Sequence, residues 1–66
     1  MKVKELLENV PGTFNYLEKY NNEMLKNKVH VWDTKKEKRV DLFESMDKDV
    51  NNYNLNGENW TLAIYV

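Results

Sequence analysis

The chain has 66 residues, 41% of them hydrophobic and 32% charged, with a formal net charge of −1 and no cysteine. That length makes one small domain over residues 1–66, and folding buries only about 60% of its unfolded surface, so marginal stability is expected. Disulfides, Cys-based zinc sites and thiol nucleophiles are excluded, and the total charge calls for no polyanionic partner.

In "MKVKELLENV", Val3, Leu6, Leu7 and Val10 fall at i, i+3, i+4 and i+7, the stripe of one helix face. Pro11-Gly12 stops that helix, because proline restricts the residue before it and glycine favours a turn. Thr13 is placed to cap a second helix, in which Leu17, Tyr20, Met24 and Phe14 share a face. Asn21-Asn22 weakens helix propensity inside it.

At "NKVHVWD" the period changes to two: Val29 and Val31 alternate with His30 and Trp32, as in a strand. "DTKKE" is a polar turn, and "KRVDLF" alternates again through Val40 and Leu42, which predicts a hairpin with a basic tip. "ESMDKD" is a polar connection with room for one helical turn. Asn56-Gly57 is the preferred pair for a two-residue type I′ turn. Such a turn would pair Leu55 with Glu58 and Tyr53 with Trp60. Beyond it, Trp60, Leu62, Ile64 and Val66 share one face of a strand with Tyr53, while Thr61, Ala63 and Tyr65 take the other. The expected fold is α+β, with one or two N-terminal helices packed on a three- to four-stranded antiparallel sheet.

Candidate sites are few. In "DKDVNNYNLNGE", Asp47, Asp49, Asn51 and Glu58 stand at positions one, three, five and twelve of a calcium loop. Position six should be glycine and is Asn52, and the segment after Glu58 alternates like a strand instead of opening a helix. The hairpin wins, and no metal site is expected. His30 is the only histidine and has no obvious ligand or acid–base partner. Asp47 with Asp49, or Asp41 with Glu44, would need a cleft that a chain this short has little room for. With Gly12 and Gly57 as its only glycines, the sequence holds no phosphate-binding loop. Neither an enzyme nor a cofactor is expected.

Charge is unevenly spread. Residues 26–39 carry six Lys or Arg against Asp33 and Glu37, a local +4, while residues 40–66 carry five carboxylates against Lys48, a local −4. The basic 35–39 hairpin tip, with Trp32 before it, fits nucleic acid: lysines can follow phosphates while an aromatic stacks on a base. Glu37 and the negative total argue against that use. The stronger expectation is a protein-binding surface made of His30, Trp32, Lys35, Lys36, Ala63 and Tyr65, on a sheet face left uncovered by the first helix. The alternative is that residues 14–26 cover this face and make Trp32 and Tyr65 core.

Asparagine occurs ten times and lysine nine times against one arginine, a bias of AT-rich codons. The opening "MKVKELLENV", the strand "VHVWD" with its polar turn, and the closing "LNGENWTLAIYV" resemble small hypothetical proteins of phages and prophages in AT-rich bacteria. That resemblance implies an accessory protein that occludes a host protein, host defence nucleases included. The expected partners are therefore a host or phage protein first, nucleic acid second, and a second copy of the chain in a structural homo-oligomer third. The N-terminus lacks the apolar run of a signal peptide, and no apolar segment approaches the ~20 residues of a membrane span, so a cytoplasmic protein without membrane contact is expected.

Overall fold

The computed structural model describes residues 1–10 and 14–66. The Pro11-Gly12 stop and the Thr13 cap lie outside the described residues.

The first helix, α1 (Val3–Glu8), buries Val3, Leu6 and Leu7, with Val10 buried just beyond it, so the stripe read from the sequence is its inward face. Its first amide groups have no partner within the helix and need acceptors from elsewhere. A distant segment supplies them: Val3 donates its N–H to Lys48 O and Lys4 to Met46 O, both at 3.0 Å. Glu5 accepts the N–H of Lys2 at 3.0 Å.

The expected second helix is two helices, α2 (Tyr16–Lys19) and α3 (Asn22–Lys28). Each begins at an asparagine. The Asn15 side chain accepts from Glu18 N–H at 3.1 Å, and that of Asn21 accepts from Met24 N–H at 2.9 Å. Two caps six residues apart make two starts, and the restart turns a different face inward. Tyr16 and Leu25 are therefore the buried residues, while Met24 is exposed. Leu17, Tyr20 and Phe14 pack at the core's margin.

Helix α3 runs directly into β1 (Val29–Asp33), followed by β2 (Lys38–Val40), a 3₁₀ turn (Phe43–Ser45), β3 (Asn52–Asn56) and β4 (Thr61–Tyr65). The sheet order is β2-β1-β4-β3. β1 and β2 form the expected hairpin, with Val31 opposite Val40. The sheet is mixed, not purely antiparallel: β1 and β4 run parallel, with Val29 opposite Leu62 and Val31 opposite Ile64. Residues 41–51 cause this, because they carry the chain from the end of β2 to the far edge of the sheet. β4 then returns beside β1 in the same direction. The crossover is fastened by the α1 bonds above and by Val50 N–H to Met1 O at 2.8 Å.

The β3–β4 turn also differs from expectation. Asn56 pairs with Thr61, Leu55 with Leu62 and Tyr53 with Ile64, so the loop is four residues, 57–60. Two asparagines set it. Asn56 Oδ1 accepts Glu58 N–H at 3.0 Å, and Asn59 Oδ1 accepts Thr61 N–H at 3.2 Å and its hydroxyl at 2.7 Å. Such side-chain turns compete with a tight two-residue hairpin. Trp60 leaves the strand and takes φ 57, a left-handed conformation costly for a bulky residue. Its ring stacks on Phe14 at 4.8 Å and its carbonyl accepts the Tyr16 hydroxyl at 2.8 Å, which offset that cost. The loop lengthens by two residues at the turn without changing parity, so Leu62 and Ile64 still face inward.

The core joins Val3, Leu6, Leu7, Val10, Tyr16 and Leu25 from the helical side to Val29, Val31, Leu62 and Ile64 of the sheet, with Leu42 from the crossover. Helices lie on one face and the strands' other face is left to solvent. None of the helices is long and apolar enough to cross a membrane, among the described residues.

Candidate functional site

The two central strands decide what the outer face carries. Val29, Val31 and Asp33 of β1 point to the helical side, so His30 and Trp32 point away from it. Parallel register then puts His30 beside Ala63 and Trp32 beside Tyr65. Trp32 is 41% exposed, while His30, Ala63 and Tyr65 are half-buried between their neighbours. Residues 14–26 do not reach Trp32: Tyr16 and Leu25 are spent on the core of the opposite face.

Neighbouring strands extend the surface. Arg39 of β2 lies opposite Trp32, and Asn52, Asn54 and Asn56 of β3 lie opposite Tyr65, Ala63 and Thr61. Among the described strand residues this face thus holds two aromatics, an arginine, a histidine, a threonine, an alanine and three amides. Arg39 and the asparagines are members of the face that motif reasoning did not single out. The alternation in "NYNLN" and the register of Val40 were the signals that could have placed them.

Lys35 and Lys36 occupy the exposed β1–β2 turn and are not gathered with the four face residues. Lys36 lines a cleft with Lys38, Glu44 and Lys48, and Lys35 lines another with Lys2, Asp47 and Asn51. Their backbones are fixed by Asp33, whose Oδ1 accepts the N–H of Lys35 at 2.9 Å and of Lys36 at 3.0 Å. Its Oδ2 lies 3.6 Å from Lys48 Nζ. These bonds, the Lys36 N–H foremost, hold the Asp33 carboxyl below its usual range against the opposing effect of burial. A depressed carboxyl stabilises the fold above its unfolded pKa, and that stabilisation is lost as pH falls through the folded value. Asp33→Ala should therefore flatten the loss of melting temperature between pH 5 and the acid transition, relative to the parent chain. Parallel acid limbs for the two would refute the role.

The oxygen ligands of the calcium pattern do not converge. Asp49 forms a 3.1 Å ion pair with Lys2, whereas Glu58 sits beyond the far end of β3, a strand about 17 Å long. Asp41 is tied to the 3₁₀ turn that follows it: its Oδ2 accepts Glu44 N–H at 3.1 Å.

Comparison with known proteins sets nothing beside this arrangement: no family model matches the chain, and no curated protein or solved structure matches it.

Proposed function

We propose that the protein is a non-enzymatic protein-binding module whose working surface is the outer sheet face. One observation carries this: Trp32 stands exposed in register with Tyr65 on a face that no described helix covers. Trp, Tyr and Arg are the side chains that dominate interface energetics, and here Trp32, Tyr65 and Arg39 are contiguous, rimmed by the amides of β3. Burying that centre against a partner supplies apolar area that folding alone leaves wet. The resemblance to small phage and prophage proteins makes the partner a host protein whose own site this face would occlude.

Single-stranded nucleic acid is the second reading, favoured by the exposed Trp32 at the foot of the basic β1–β2 turn. Bases stack on aromatic platforms, and the lysines of the 35–39 tip would follow the backbone.

Trp32→Ala and Tyr65→Ala test both. Each should weaken cross-linked capture of the partner by more than about 1 kcal/mol while barely moving the melting temperature. A large drop in melting temperature for both would make them core residues and end the proposal. Titration of an oligothymidylate at low and high salt separates the readings, since phosphate contacts weaken steeply with salt.

A further inference from the structure

The sheet ends in two strand edges that differ in kind. An edge presents unpaired backbone groups, and proteins commonly guard it by shortness, charge or proline. β2 is guarded, with only three residues, of which Lys38 and Arg39 are charged. β3 has five residues, "NYNLN", with neither charge nor proline.

Which β3 groups face outward follows from β4. Val66 donates its N–H to Trp32 O and accepts from Thr34 N–H, both at 2.9 Å, so Val66 and the alternate residues Ile64 and Leu62 direct their amides to β1. Thr61, Ala63 and Tyr65 direct theirs to β3, where Asn56, Asn54 and Asn52 receive them. The backbones of Tyr53 and Leu55 are left pointing away from the sheet. Tyr53 N–H is held only by the Asn52 side chain at 2.9 Å, an exposed local bond. No bond to Leu55 N–H or to either carbonyl is made by the described residues.

We propose that the edge of β3 pairs with β3 of a second copy of this chain, antiparallel about a two-fold axis at Asn54. In that register Tyr53 lies opposite Leu55 of the second copy, and Leu55 opposite its Tyr53. Each of these two pairs exchanges both its N–H···O bonds, which makes four across the axis. The pattern of the strand is its own complement. On the helical side each half-buried Tyr53 meets a half-buried Leu55, and on the outer side Asn54 meets Asn54 and Asn52 meets Asn56. None of these pairs brings like charges together, which would be destabilising. A general extended peptide would lack this matching, and an isologous contact is the kind that closes into a dimer. The outcome is one eight-stranded sheet with two outer faces side by side. A contact this small is weak, with association expected between about 10 µM and 1 mM.

Sedimentation equilibrium of the full chain across that range tests the pairing independently of what the outer face binds. The parent chain should rise from 8.0 kDa toward twice that mass. Asn54→Lys and Asn54→Asp each set like charges against one another at the axis, so each should remain monomeric with an unchanged far-ultraviolet spectrum. Their equimolar mixture should associate, because Lys then faces Asp. Trp32→Ala should associate like the parent. A parent chain that stays monomeric overturns the proposal. So does a mixture that fails to associate, or an association that Trp32→Ala abolishes.

Discussion

Leu62→Ala should cost about 2–5 kcal/mol, enough to leave much of the chain unfolded at room temperature. Leu62 is fully buried, on a central strand, with Val29 beside it on β1 and Leu55 on β3. The substitution removes its transfer free energy and leaves a cavity that two paired backbones prevent from collapsing. At about 0.05–0.15 kcal/mol per residue, a chain of 66 residues has about 3–10 kcal/mol in all. One side chain then matters as much as the whole margin. Leu55→Ala, at a half-buried edge position, should cost clearly less. Urea denaturation followed by circular dichroism would compare the two. A cost below about 1 kcal/mol for Leu62→Ala would mean that β4 does not lie at the centre of the core.

Local periodicity carried as far as local physics reaches. The Val3-Leu6-Leu7-Val10 stripe and the alternation of Val29, Val31, Leu62 and Ile64 record which side of an element is dry, and all eight are buried. The same parity separated His30, Trp32, Ala63 and Tyr65 from the core. What periodicity does not encode is which strand lies beside which. The parallel contact of β1 with β4 follows from residues 41–51, which carry the chain from β2 to the far edge of the sheet before β3 begins. The Lys48 and Met46 carbonyls that receive the first amides of α1 carry no side-chain signature at all. Asparagine misled in two ways. Asn21 lowers helix propensity, yet it is the cap that starts α3. Asn56-Gly57 has the composition of a complete two-residue turn, yet Asn59 binds Thr61 and the loop is longer.

Tyr16 is the core residue that the sequence hid, and replacing it should be as damaging as replacing Leu62. Its ring is fully buried and meets Phe14 edge to face at 4.8 Å, and Phe14 in turn stacks on Trp60. Its hydroxyl donates to Trp60 O, joining α2 to the β3–β4 turn across 44 positions of sequence. Tyr16→Ala removes ring and bond together, an expected cost of about 3–5 kcal/mol. Tyr16→Phe keeps the ring and should cost about 0.5–1.5 kcal/mol, near the low end, because Trp60 is partly exposed and water can replace the donor. The hydroxyl also leaves a signature in pH. Burial, and secondarily the nearby Tyr20, push the Tyr16 phenol above its ordinary value of 10.0. The folded state therefore favours the neutral phenol, and its contribution is complete below the unfolded pKa and lost as pH rises through the folded one. The parent chain should lose stability more steeply than Tyr16→Phe above pH 10, whereas the lysines, common to both, cancel in the comparison. Equal alkaline slopes for the two would place the hydroxyl in water and remove the clasp between α2 and the turn.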